Sequence, residues 1–149
     1  MHIPMQVDYG VRALIDLAEH ESEGPVRASD IAQRQGIPEP YLARVLHMLQ
    51  RQGITASQRG PLGGHALARP PSQITMGEVM VNLGGTINLV SCLDDAGRCT
   101  QSPQCGQRSV WRDVEQAIQN VLNNTTIADL VERMKQPAEA VHNEAVTTA

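Results

Sequence analysis

The sequence predicts a mainly α-helical chain with a single small β element, and three observations carry that expectation. Aromatic residues are only 2% of the chain, so its 41% of apolar residues must pack through Leu, Val, Ile, Met and Ala, a composition that suits helices. Apolar residues recur at helical spacing in most segments. One stretch, 54–69, departs from that spacing and shows two short strand-like runs around a tip rich in Gly and Pro. A length of 149 residues suits one compact domain, or one domain with a long helix appended.

The first helix is expected over 5–20. Val7, Val11, Leu14, Ile15 and Ala18 share one face, and Asp8, Arg12, Asp16 and Glu19 take the other. Glu23-Gly24-Pro25 supplies a turn. A short helix follows at 29–35, with Ser29 or Asp30 as its cap and Gly36 as its end. Ile37-Pro38-Glu39-Pro40 is a tight connector, because each Pro restrains the residue before it. Pro40 also suits the first turn of the next helix, 40–52, which points Leu42, Val45, Leu46 and Leu49 inward and ends at Gly53. Two short helices joined this way form a helix-turn-helix pattern. Strands at 54–58 and 65–69 around RGPLGG then make a wing.

Beyond Pro70-Pro71, a helix is expected over 74–83 with Thr75 as its cap, and Gly84-Gly85 breaks it. An apolar stretch at 86–90 is of either type. A polar loop with three Cys covers 91–107, and a long helix covers 109–122 with Val110, Val114, Ala117, Ile118, Val121 and Leu122 on one stripe. Thr126 caps a last helix, 127–134. The organisation is therefore a winged helix-turn-helix domain at 1–72, the cysteine loop and C-terminal helices at 73–135, and a disordered tail at 136–149, where the sequence is rich in Ala, Glu and Thr without apolar period. No internal repeat is visible.

The net charge is −4, yet it is unevenly spread. Residues 27–69 carry six Arg against Asp30 and Glu39, and both flanks are acidic. A basic middle of this kind is an electrostatic footprint for phosphate. The second helix of such a motif enters the major groove of DNA. Its outward face offers Tyr41, Arg44, His47, Gln50 and Arg51, with Arg44 able to bond guanine and Tyr41 to reach phosphate or a thymine methyl; the plainer alternative is an ordinary solvated face. At the wing tip, Arg59 suits a narrow minor groove and Gly60 permits the tight turn. His65 is either a phosphate contact or simply a strand residue.

Cys92, Cys99 and Cys105 are separated by six and five residues. Three Cys in a chain expected to be cytoplasmic do not make a disulfide framework. Thiolates are the usual donors to iron–sulfur clusters, and a loop with Gly97, Pro103 and Gly106 is a workable cradle. Three free surface thiols and a zinc site are the alternatives, although the C-x2-C knuckles of structural zinc are lacking. A fourth donor must come from elsewhere. The sequence contains no Gly-rich phosphate loop, no H-E-x-x-H and no nucleophile elbow, which argues against an enzyme. It also has no apolar run long enough to span a membrane.

The runs DIAQRQGIPEPYLARVLHMLQRQGI, SQRGPLGGHALARPPSQIT, SCLDDAGRCTQSPQC and VWRDVEQAIQNVLNNTTIADLVE closely resemble the bacterial regulator family that includes the iron–sulfur assembly repressor IscR and the nitric-oxide sensor NsrR. The resemblance covers about residues 1–135 and is most specific in the wing. It implies a symmetric homodimer whose long helices cross, burying Val110, Val114, Ile118 and Val121. It implies a 2Fe-2S or 4Fe-4S cluster on Cys92, Cys99 and Cys105, whose state sets affinity for a roughly palindromic double-stranded operator. The signal would be iron–sulfur status, redox stress or nitric oxide; a cluster-free thiol-redox or metal-responsive DNA-binding regulator is the alternative. Two departures matter. Arg108 stands where assembly repressors often place a His ligand, whereas Asp8 matches the position from which the nitric-oxide sensors take an Asp of the partner subunit. Ala43 stands where relatives often carry Glu or Gln, so the operator sequence does not carry over.

Overall fold

The computed structural model describes residues 3–93, 95, 97, 99 and 104–136. Among these described residues, six α-helices and one two-stranded sheet follow in the order α1 (Met5–Glu19), α2 (Ala28–Gln35), α3 (Glu39–Arg51), β1 (Thr55–Gln58), β2 (Gly64–Leu67), α4 (Met76–Asn82), α5 (Gly106–Asn124) and α6 (Ile127–Lys135). Short 3₁₀ turns at Glu21–Glu23 and Pro71–Gln73 lead into α2 and α4. The strands are antiparallel, with Thr55 opposite Leu67 and Gln58 opposite Gly64. This is the expected mainly α chain with a β wing. The expected disordered tail lies outside the described residues from 137 on.

The inward face of α3 is the one its spacing predicts: Leu42, Val45, Leu46 and Leu49 are all buried. Leu42 and Leu46 pack with Ala13, Leu17, Ile31 and Ile37, closing α1, α2 and α3 on one another. Val45 and Leu49 pack instead with Val7, Leu14, Ile54, Ile74, Val79, Leu83 and Ile127. This second group draws α4 and α6 against α1, so the core crosses the junction near residue 72. Backbone bonds reinforce that return. Met76 donates to the Thr125 carbonyl at 2.8 Å and Ile127 to that of Ile74 at 2.9 Å.

Caps fix the helix ends. Thr75 accepts from the Glu78 amide at 3.2 Å. Thr126 and Asp129 form a reciprocal capping box at α6. Gly36 and Gly53 end α2 and α3 at φ of 61° and 70°, which only Gly adopts without strain.

Three sequence expectations need correction. Neither Ser29 nor Asp30 caps α2: the cap is Arg27, whose carbonyl accepts from the amides of Asp30 and Ile31, which leaves Ser29 and Asp30 inside the helix. The long helix starts at Gly106 rather than Ser109, so Gln107 and Arg108 are helical, and it runs on through Asn124. Asp16 is not on an outward face. It is 1% exposed, because α2 covers that side of α1 and supplies polar partners there.

Candidate nucleic-acid interface and cysteine site

The arrangement of α1 and α2 rests on Asp16. Arg34 donates to its two oxygens at 2.9 and 2.6 Å and Gln35 at 3.1 Å. Burial alone would raise the Asp16 pKa; the bonds from Arg34 and Gln35 and the charges of Arg34 and His20 outweigh it and hold the carboxyl below the ordinary range. The buried charge is thereby fully partnered, which a solvent-excluded carboxylate requires.

On α3, Tyr41, Arg44, His47, Gln50 and Arg51 are all exposed on one side, as the spacing predicts. The structure adds an anchor that spacing alone does not reveal. The Tyr41 ring stands edge-on to Tyr9 of α1, 6.2 Å between centroids, and Arg12 lies 5.8 Å over Tyr9. Gln50 donates to the Ser57 hydroxyl at 2.9 Å, joining α3 to β1. The wing is braced twice more. Val26 and His65 exchange backbone bonds of 2.8 and 2.7 Å, and Arg27 donates to the Pro61 carbonyl at 3.0 Å. Arg59 and Gly60 are exposed at the tip, with Gly60 at φ 114°. His65 is placed as a strand residue: its Nδ1 is buried with no partner among the described residues, and burial lowers its pKa. Arg69, beyond the wing, pairs with Glu78 of α4 and donates to the Gln73 carbonyl at 2.8 Å.

The cysteine segment and the stretch just before it are tied to α5. Cys105 is the residue that precedes α5, and Arg108 reaches from its first turn to the Cys92 carbonyl at 3.3 Å. Glu115 accepts from the Leu89 amide at 2.8 Å. The three thiols are free and half-buried. Among the described residues, no three His, Cys, Asp or Glu side chains stand close enough to hold a metal ion. The donor chemistry fits an iron–sulfur cluster, since thiolates are its usual ligands. Residues 94, 96, 98 and 100–103, between the thiols, lie outside the described ones. Asp8 sits exposed in the first turn of α1, 3.5 Å from Arg12, far from being buried as a structural carboxylate.

Helix α5 has no buried residue along its 19 residues. Val110, Val114 and Val121 are 56%, 37% and 65% exposed, while Ile118 and Leu122 are half-buried. Beside it lies a hollow of about 500 Å³ between α4 and α5, lined by Met80, Val81, Ile87, Gln119 and Leu122.

Residues 3–133 match the Rrf2 family, described as iron-dependent transcriptional regulators. The chain belongs to the Rrf2 family. It is 37% identical over 131 residues to the HTH-type transcriptional regulator IscR of Serratia proteamaculans, covering 88% of this chain and 79% of that one. The IscR of Yersinia enterocolitica is 34% identical across 100% of this chain and 92% of its own. Among solved structures, T. potens IscR superposes with a TM-score of 0.72 at 34% identity, over 93% of each chain. CymR, the global cysteine regulator of B. subtilis, gives 0.77 at 32% identity, over 89% of this chain and 98% of CymR. This Rrf2 protein is thus a DNA-binding transcriptional regulator and not an enzyme. Among its described residues no helix is long and apolar enough to cross a membrane.

Proposed function

We propose that this Rrf2 protein is a homodimeric repressor whose hold on a double-stranded operator depends on an iron–sulfur cluster carried by Cys92, Cys99 and Cys105. Residues 1–72 read DNA through Tyr41, Arg44, His47 and Arg51 of α3 and Arg59 and Gly60 of the wing; His65 contributes through the strand that carries it. Residues 73–135 hold the cluster and pair the subunits. The observation that carries this reading is that the cysteine segment and the open apolar stripe share one element: Cys105 precedes α5, Arg108 binds it back to Cys92, and Val110, Val114, Ile118 and Val121 run along the same helix.

When bound, the cluster supplies a centre that responds to iron–sulfur supply, redox stress or nitric oxide. The chain's own residues do the rest. Arg108 binds the cysteine segment to α5, and Glu115 binds the stretch just before it through Leu89, so a rearrangement of that segment would be felt along the stripe where the subunits meet. In a dimer the two α3 helices must stand one helical turn of DNA, or a multiple of it, apart, so a small change at that seam alters operator affinity. Asp8 of the partner subunit is the proposed fourth donor. It lies exposed in the first turn of α1, and Ile3 and Met5 at the same end of the helix are 54% and 58% exposed, which leaves that end open to a second chain.

A second reading, a cluster-free thiol-responsive regulator, is favoured by the absence of a gathered donor set among the described residues and by the likeness to CymR of Staphylococcus aureus, which has been solved in an oxidized form. Native mass spectrometry with iron and sulfide analysis on protein purified without oxygen separates the two. Twice the chain mass plus cluster mass, with iron and sulfide in matching amounts, is the expected result. Colourless, metal-free protein after reconstitution would leave the thiol reading.

A further inference from the structure

The wing tip carries an apolar side chain that the fold does not use. Leu62 is 85% exposed, the highest value among the exposed large apolar residues described. It sits between Pro61 and Gly63, three positions after Arg59. The tip that presents it is braced. Arg27 donates to the Pro61 carbonyl at 3.0 Å, and the Gly63 amide donates to Gly60 at 2.9 Å. A Cβ on Gly63 would come within 2.2 Å of the Gln58 carbonyl oxygen, so the turn closes tightly on itself. At the base, a Cβ on Gly64 would come within 2.5 Å of the Val26 carbonyl oxygen, which shows how closely the wing is laid against the segment before α2. Leu62 is therefore held out at the end of a stiff hairpin, and little ordering remains to oppose a contact there.

The surroundings say what that contact is. Arg27 and Arg59 flank the tip, and β1 is joined to the exposed face of α3 through Gln50 and Ser57. Leu62 stands at the rim of a hollow whose inner lining includes Glu23 and Asp30 as well as Arg27, so phosphate is disfavoured inside it and the outer side of the tip is the point of approach. The walls of the DNA minor groove are the apolar faces of deoxyribose, and apolar side chains set beside a groove-entering Arg act as wedges whose fit depends on groove width and step flexibility.

We propose that Leu62 is a specificity-determining residue: it packs in the operator minor groove beside Arg59, against the sugar walls, and selects half-site flanks that accept an apolar wedge. The inference rests on the proposed placement of the wing on DNA. It goes beyond that placement by assigning sequence preference to an apolar contact rather than to a cation.

The test uses the full-length chain and the duplex that it enriches from a randomised pool of about 30 base pairs, long enough for two half-sites. Leu62→Ala is expected to weaken binding to that duplex about five- to tenfold, to relax the flank preference on re-selection, and to keep the wild-type dependence on salt, since an apolar contact releases no counterion. Arg59→Ala should weaken binding and also flatten the salt dependence. Leu62→Met should restore affinity, which separates a packing contact from a folding defect. Leu62→Ala with affinity within about twofold of wild type and unchanged flanks would overturn the proposal. Enrichment of no duplex by the wild-type chain is a different result, which would remove the DNA-binding reading and this inference together.

Discussion

Helices α3 and α5 carry the same kind of apolar stripe, and the fold treats them oppositely. In α3 the stripe is closed: Leu42, Val45, Leu46 and Leu49 are buried within a single chain. In α5, which is six residues longer at 19 against 13, no residue is buried and three valines face outward. Helix stability comes mostly from packing an amphipathic face, so the stripe left open along α5 is the surface that the proposed pairing of subunits would cover. The stripe of α3 makes the domain, and the stripe of α5 is left for the proposed partner subunit.

The comparison is broken most directly by removing side chains from each stripe. Leu46→Ala should cost about 2–5 kcal/mol of unfolding free energy, measured by urea denaturation, because the cavity it leaves is walled by α1 and α2. Val114→Asp should leave the far-ultraviolet circular dichroism intact yet halve the mass seen by sedimentation. If it remained at the dimer mass, α5 would not be the seam. Next in size is Asp16→Ala, expected to cost about 1–3 kcal/mol, since it removes the hydrogen bonds from Arg34 and Gln35 that join α1 to α2, while the 38% exposed Arg34 side chain can turn to water. The same pair gives a pH signature. A folded-state pKa below the unfolded value means that the stabilisation is complete above about pH 4 and is lost as pH falls through the folded pKa; acid titration of wild type against Asp16→Ala checks it.

Arg44→Ala should weaken operator binding by about 1–3 kcal/mol while leaving the melting temperature unchanged, the converse of Leu46→Ala. The smallest effect is at His65. Its lowered folded pKa means that the unfolded chain binds the proton more tightly, so stability falls as pH drops below about 6.5 and the drop ends below the folded pKa. His65→Gln should flatten the melting temperature across that window; an unchanged slope would mean that the imidazole is not the group responsible.

Much of this was legible in the sequence because it depends on local chemistry. The period of α3, the Gly stops at 36 and 53, the caps Thr75 and Thr126 and the wing around RGPLGG are each written in a few consecutive residues. What escaped depends on distant neighbours. Asp16 reads as a solvent residue until α2 brings Arg34 and Gln35 over it. The α2 cap fell on Arg27 because the wing holds that residue from both sides, through its side chain at Pro61 and through Val26 at His65. Pairs such as Tyr9 with Tyr41 and Arg69 with Glu78 have no sequence period to announce them. Arg108 shows both sides of the lesson. Its identity signalled the missing His, but its bond to Cys92 appears only once α5 is seen to begin at Gly106.

The most direct test of the account is the operator affinity of anaerobically purified, cluster-loaded protein, measured before and after iron and sulfide are stripped, with Cys105→Ser alongside. The account predicts a shift of about tenfold or more on stripping, with Cys105→Ser fixed at the stripped value in both conditions. Equal affinity in all of these samples would contradict it.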